Sequence, residues 1–250
     1  VRIENSFIFV DGVGERTERR LWEAGVTHWD AFADVGADVL GPKTSASVET
    51  ALEGGREALS ANDTRFFADR LPAKRRWRLY ENAREEACFF DIETTGLDRY
   101  ADRVTTVSFH RAGETRTLVA GEDLTRGAIE RELERASLLV SFNGARFDVS
   151  FLEGAFDCSI EVPHLDLMYP CRRLGLDGGL KAIEREVGID RELDDVDGRE
   201  AVRLWHRYER GDEDALDRLV RYNRADARNL EALSERVVSA LDREVFGAYR

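Results

Sequence analysis

Between residues 87 and 120 the rhythm of apolar positions changes sharply. Cys88 to Glu93 is a short apolar run ending in acids and predicts a strand buried on both faces. Val104 to His110 and Thr115 to Val119 alternate apolar and polar around a turn at Arg111 to Glu114, which predicts a hairpin. Leu124 to Ala136 has helical spacing, Leu138 to Phe142 reads as another strand, and Phe147 to Phe156 as a helix. His164 to Met168 is short and extended, and Leu180 to Val187 is an amphipathic helix stopped by Gly188. Arg199 to Tyr208, Asp212 to Tyr222 and Asp226 to Leu241 make a helical C-terminal third. Strands alternating with helices predict an α/β domain over 85–245, a mixed central sheet flanked by helices. Residues 1–80 differ: helical patterns are punctuated by turn glycines at 12, 14, 25, 36 and 41, which predicts a small, mainly helical part. Pro72 and a basic run from Lys74 to Arg78 lie near the join.

The 250 residues are 42% hydrophobic, enough for a folded core and unlike a disordered chain. No apolar run approaches the ~18 residues of a membrane span. The opening VRIENSFIFVDG has no basic region followed by a long apolar run, so no signal peptide is expected. Cys88, Cys158 and Cys171 are odd in number and lack CxxC spacing. That predicts reduced thiols, small buried side chains rather than zinc ligands, and a cytoplasmic setting. The four tryptophans, 22, 29, 77 and 205, read as core packing, and the four histidines show no ligand spacing.

Charge complicates this picture. The net charge is −13, with 50 acidic and 37 basic residues, and only Lys43, Lys74 and Lys181 are lysine. An acidic, lysine-poor surface fits a halophile, in which molar salt screens charge over ~3 Å. A surface kept acidic for solubility accounts for it as well. The excess is uneven: residues 1–80 carry 13 acidic and 12 basic residues, so almost all of it falls later.

A few acids look misplaced for surface charge. Asp91 and Glu93 follow Phe89 and Phe90 and, two apart in a strand, point to one face. Two adjacent buried carboxylates repel each other, and a divalent cation removes that penalty. Asp148 follows a turn pair, Asn143-Gly144, and taken alone reads as a first-turn helix acid. Tyr222 and Asp226, four apart, share a face if their stretch is helical. Hard oxygen donors of this kind suit Mg²⁺ or Mn²⁺. Two such ions activate water and stabilise the leaving oxygen in phosphodiester cleavage.

In this order the segments FDIETTGL, SFNGARFD and YNRAD resemble the three motifs of the DEDD (DnaQ-like) 3′–5′ exonucleases, which have a ribonuclease H-like fold. The tyrosine in the third motif resembles the DEDDy subgroup; the histidine version would need His where Arg221 stands. The resemblance implies Asp91, Glu93, Asp148 and Asp226 as ligands of two metal ions, with Tyr222 orienting the nucleophilic water. It implies Thr94 and Leu97 as contacts of the 3′-terminal nucleotide, and Asn143 and Phe147 as substrate-side residues. HLDLM at 164–168, GLKAIEREVGI at 179–189 and Leu204-Trp205 bring the layout nearest to YprB-type ribonuclease H-like proteins. Asp166 is an extra acid, read as a further carboxylate approaching the site or as a cap or supporting partner after a strand.

Residues 11–25, DGVGERTERRLWEAG, resemble the hairpin and second helix of a helix-hairpin-helix DNA-binding element. Gly12 and Gly14 permit a tight turn that presents backbone N–H groups to a phosphate, and Arg16, Arg19 and Arg20 add cationic contacts. Residues 41–55 look like a weaker second copy. The expected activity is therefore a metal-dependent 3′–5′ exonuclease acting on single-stranded or frayed 3′ ends. The alternatives are a nucleic-acid-binding protein with an inactive ribonuclease H-like domain, and a structure-specific endonuclease.

Overall fold

The structure, a computed structural model, describes the backbone of residues 1–250 and the side chains of all but residue 37. The chain divides into two compact units: Val1–Glu85 with Val238–Arg250, and Glu86–Val237.

The first unit is built from the helices α1 (Glu15–Glu23) and α2 (Pro42–Ser60) with short helical turns around them. An aromatic core of Phe7, Phe9, Trp29, Phe32 and Phe67 holds it together, with Phe9 edge-on to Phe67 at 5.4 Å. Trp22 packs edge-on against Phe246 at 5.0 Å, and the Val1 amino group pairs with Asp242, which gives the C-terminal turns their place in this unit. Glu18 and Arg78 form a buried ion pair at 2.7 Å, joined by Ser6. Gly12, at φ +79°, makes the left-handed turn expected of it, and Gly14 caps α1. Before that turn lies only a single 3₁₀ turn, Ile3–Asn5, so the first helix of a helix-hairpin-helix is missing.

The second unit carries a five-stranded sheet of order β3-β2-β1-β4-β5: β1 (Ala87–Thr94), β2 (Val104–Arg111), β3 (Glu114–Val119), β4 (Leu138–Ser141) and β5 (His164–Asp166). β1 to β3 are antiparallel neighbours, while β4 and β5 run parallel to β1. This is the mixed sheet expected. Ala112 and Gly113, both at positive φ, form a two-residue loop whose twist suits a hairpin. β1, β2 and β4 are buried on both faces, which accounts for the apolar runs of β1 and β4 and buries even the alternating polar residues of β2, Thr106, Ser108 and His110; β3, at the edge, alternates in exposure.

The flanking helices are α3 (Arg126–Leu133), α4 (Asp148–Phe156), α5 (Met168–Arg173), α6 (Leu180–Glu186), α7 (Gly198–Tyr208) and α8 (Glu213–Phe246). Two sequence expectations need correction. The extended stretch 164–168 stops at Asp166, whose buried carboxylate accepts the Met168 N–H at 3.0 Å and starts α5. The expected break between Tyr222 and Asp226 is absent: α8 runs unbroken for 34 residues, about 50 Å. Asn223, Arg224 and Ala225 offer no Gly or Pro to stop it, and Asn223 and Ala225 are buried. All four tryptophans are buried, and the three cysteines are free thiols. No described helix is long and apolar enough to cross a membrane.

Candidate metal centre

β1 presents Asp91 and Glu93 on one face, and a bulge between Glu93 and Thr94 shifts its register against β2 there. The middle of α8 brings Tyr222 and Asp226 to the same place, one turn apart. One carboxylate oxygen from each of Asp91, Glu93 and Asp226 lies within 4.8 Å of the others. Asp148, the first residue of α4, stands beside this triple and not within it: its Oδ1 accepts the Ile92 N–H at 3.3 Å.

Burial is the main force on these groups. It raises the Asp91 carboxyl well above the usual range, and the negative charges of Asp226, Glu93 and Asp148 push the same way. Glu93 is raised by burial and then by Asp226 and Asp148, with Lys181 opposing. Asp148 is pushed up to about 7 by burial, against the stabilising backbone N–H groups it accepts from. Burial also raises Asp226, here opposed by Arg191, Tyr222 and Lys181. The Tyr222 hydroxyl is raised by burial and by Asp226, so it stays protonated. Three clustered, mutually repelling carboxylates are the donor set that a hard divalent cation relieves, so the residues fit Mg²⁺ or Mn²⁺.

Residues outside the sequence reading complete the site. Asn223, fully buried, donates from Nδ2 to Asp91 Oδ2 at 2.7 Å. Arg191, just after α6, pairs with Asp226 and with the buried Glu184. Lys181 Nζ donates to the Val196 carbonyl and lies 5.2 Å from the Tyr222 ring centre. Its scarcity was a usable signal, since it is the sole lysine after residue 80. Nothing in the sequence distinguishes Arg191 among 34 arginines. Asp166 resolves as a loop holder: it accepts the N–H groups of Asn143 at 2.7 Å and Ala145 at 3.2 Å, fixing the turn before Asp148.

Of the four residues expected on the substrate side, Thr94, Leu97 and Phe147 line one groove of about 680 Å³ with Glu93, Arg199 and Arg203. Leu97 is 85% exposed there. Asn143 does not line it; its backbone, at φ +62°, makes the turn. Gly12, Gly14, Arg16, Arg19 and Arg20 belong to the other unit, where all five are exposed except for partial contacts such as Arg20 to the Val39 carbonyl at 2.8 Å.

A family profile described as the RNase_H superfamily matches residues 88–238. Among solved structures, the family B DNA polymerase of the archaeon Pyrobaculum calidifontis is similar at 19% identity and TM-score 0.51, over 61% of this chain and 24% of the polymerase. NrnC of Brucella melitensis is similar at 20% identity and TM-score 0.41, over 68% of this chain and 82% of its own. A structure described as the apo form of a nuclease gives 20% identity and TM-score 0.48, over 68% and 83%. No curated protein sequence matches the chain.

Proposed function

This chain belongs to the RNase_H superfamily, and from that premise we propose that it is a metal-dependent 3′–5′ exonuclease acting on single-stranded or frayed nucleic-acid ends. The observation that carries this reading is the meeting of Asp91, Glu93 and Asp226 within 4.8 Å, beside Tyr222 and Asp148. These four carboxylates would hold two Mg²⁺ or Mn²⁺ ions. When bound, such ions supply a nucleophilic water and stabilise the leaving oxygen of an in-line displacement.

The chain's own groups do the rest. The protonated Tyr222 hydroxyl donates to Asp226 and orients the attacking water by accepting a hydrogen bond from it, not by acting as a base. Leu97 and Phe147 offer apolar surface to the terminal base, and Arg199 and Arg203 offer charge to the phosphates along the groove. The 3′–5′ direction and the DEDDy assignment rest on the three motifs, and the YprB-type likeness on the segments 164–168 and 179–189 and on Leu204-Trp205. In the N-terminal unit, Gly12 and Gly14 with Arg16, Arg19 and Arg20 form a candidate phosphate contact, though a single 3₁₀ turn stands where a helix-hairpin-helix has its first helix.

The test is digestion of 5′-labelled single strands of DNA and RNA. Stepwise shortening from the 3′ end in Mg²⁺, abolished by chelator and by Asp91→Ala, is expected. Metal-independent hydrolysis overturns the reading. Internal cuts indicate an endonuclease, and binding without cleavage across salt and metal conditions indicates an inactive binding protein.

A further inference from the structure

Arg191 occupies an unusual place for a charged side chain. It is 6% exposed, and its guanidinium lies between Glu184, fully buried, and Asp226. One terminal nitrogen, Nη1, donates to Glu184 Oε2, and the other, Nη2, donates to Asp226 Oδ1. Both ends of the fork are therefore committed within the protein.

The segment carrying Arg191 is tied down as well. Gly188, at φ +71°, closes α6, and the Ile189 N–H donates to the Glu184 carbonyl at 2.8 Å. α8 then holds the same segment at further points. Asn229 Nδ2 donates to the Asp190 carbonyl at 3.3 Å, and Arg236 donates to the carbonyls of Val187 at 2.7 Å and Gly188 at 3.2 Å. Asp226, Asn229 and Arg236 all belong to this one helix, so α8 sets both the carboxylate and the cation that grips it.

We propose that Arg191, clamped by Glu184, is a positioning residue that fixes the Asp226 carboxylate in the direction of Asp91 and Glu93. This inference rests on the reading of those three acids as a metal centre. A counter-ion that leaves when metal arrives is the competing role. Glu184 argues against it, because departure of Arg191 would strand a fully buried carboxylate without a partner. A phosphate-binding role is also disfavoured, since the guanidinium is buried and each terminal nitrogen already bonds a carboxylate. Ligating carboxylates are commonly held by such outer partners, whose loss weakens metal binding 10- to 100-fold. A lysine restores the charge but not the planar two-ended fork.

The test is calorimetric titration of Mn²⁺ into the intact chain. Glu184→Gln with Arg191→Gln removes the two charges of that pair together, so Glu184 is not stranded, while Asp226 keeps its charge and its Tyr222 partner. Arg191→Lys keeps the charge alone and serves if the double variant does not fold. We expect both variants to bind Mn²⁺ roughly 10- to 100-fold more weakly than the wild type. Unchanged or tighter binding in a folded variant overturns the positioning role while leaving the metal centre standing. Absence of Mn²⁺ binding by the wild type overturns the metal centre itself, and this inference with it.

Discussion

The side-chain amide of Asn223 donates to Asp91 Oδ2 at 2.7 Å and to the Asp91 carbonyl at 3.1 Å. Its Oδ1 accepts from Ser108 Oγ at 2.7 Å, which fixes which way the amide faces. A helix residue thus locks a strand carboxylate in place from the side away from solvent. Asn223→Ala leaves Asp91 and Ser108 without this partner. A hydrogen bond to a charged group contributes about 1.5–3 kcal/mol. We expect a loss of stability of that order by thermal unfolding, and at least a tenfold fall in nuclease rate in the fraction that stays folded. Wild-type rate in a folded Asn223→Ala would show that Asp91 needs no such support.

Much of this site was legible before the fold was known. Asp91 and Glu93 stand out because two acids two apart in an apolar strand cannot both be surface groups. The hairpin was legible because Ala112 and Gly113 sit between two alternating runs. Asn223 and Arg191 were not, because their roles come from partners 132 and 35 residues away that no local pattern records. The continuity of α8 was missed for a related reason. Asn223 and Asp226 are indifferent helix formers, and tertiary burial of their face decides the outcome.

Tyr222 is raised by burial and by its acidic neighbours, so its hydroxyl keeps its proton across the working range. Tyr222→Phe removes the hydroxyl and keeps the ring, which is packed near Lys181 and Arg191. The expected result is a rate loss of about 10²- to 10⁴-fold with metal affinity changed little. Single-turnover cleavage together with a Mn²⁺ titration separates the two quantities. A rate within threefold of wild type would remove Tyr222 from the chemistry.

The raised carboxyls make stability depend on pH in a stated direction. A carboxyl whose folded pKa lies above its unfolded value holds its proton in the folded state where the unfolded chain has lost it. Its contribution is therefore present in acid and is lost as pH climbs through the folded value. For Asp148, pushed up to about 7, that window runs from its ordinary 3.8 to about 7. In chelator, the melting temperature should fall across this range, with Asp91 and Glu93 adding to the slope. In Mg²⁺ the fall should be reduced, so metal-induced stabilisation grows with pH. Parallel melting curves with and without Mg²⁺ would refute this.

The acidic excess makes a separate prediction about salt. Thirty-seven acids against 25 basic residues after residue 80 repel one another at low ionic strength. On the halophilic reading, melting temperature and nuclease rate both rise from 0.1 M toward molar KCl, as screening shortens to ~3 Å. Loss of activity above low salt counts against that reading and for a surface that is acidic only for solubility.

Gly144 sits at the turn between β4 and α4, where space decides what can be tolerated. A Cβ there would lie 2.8 Å from Ser141 Cβ and 2.9 Å from Asp148 Oδ2. Neither neighbour is free to yield. Ser141 Oγ is bonded to His164 Nε2 at 2.8 Å, and Asp148 is held by the Ile92 N–H. Overpacking of this kind costs about 1–3 kcal/mol. Gly144→Ala should therefore lower stability by that amount and push Asp148 off its bond, so activity should fall further than stability alone explains. Gly154, inside α4, is the control: a Cβ there meets nothing within 4 Å. Gly154→Ala should stabilise by about 0.5–1 kcal/mol, through lower backbone entropy in the unfolded chain, and leave activity unchanged. Equal behaviour of the two variants in melting and cleavage would mean that the Asp148 carboxylate is not held by this turn.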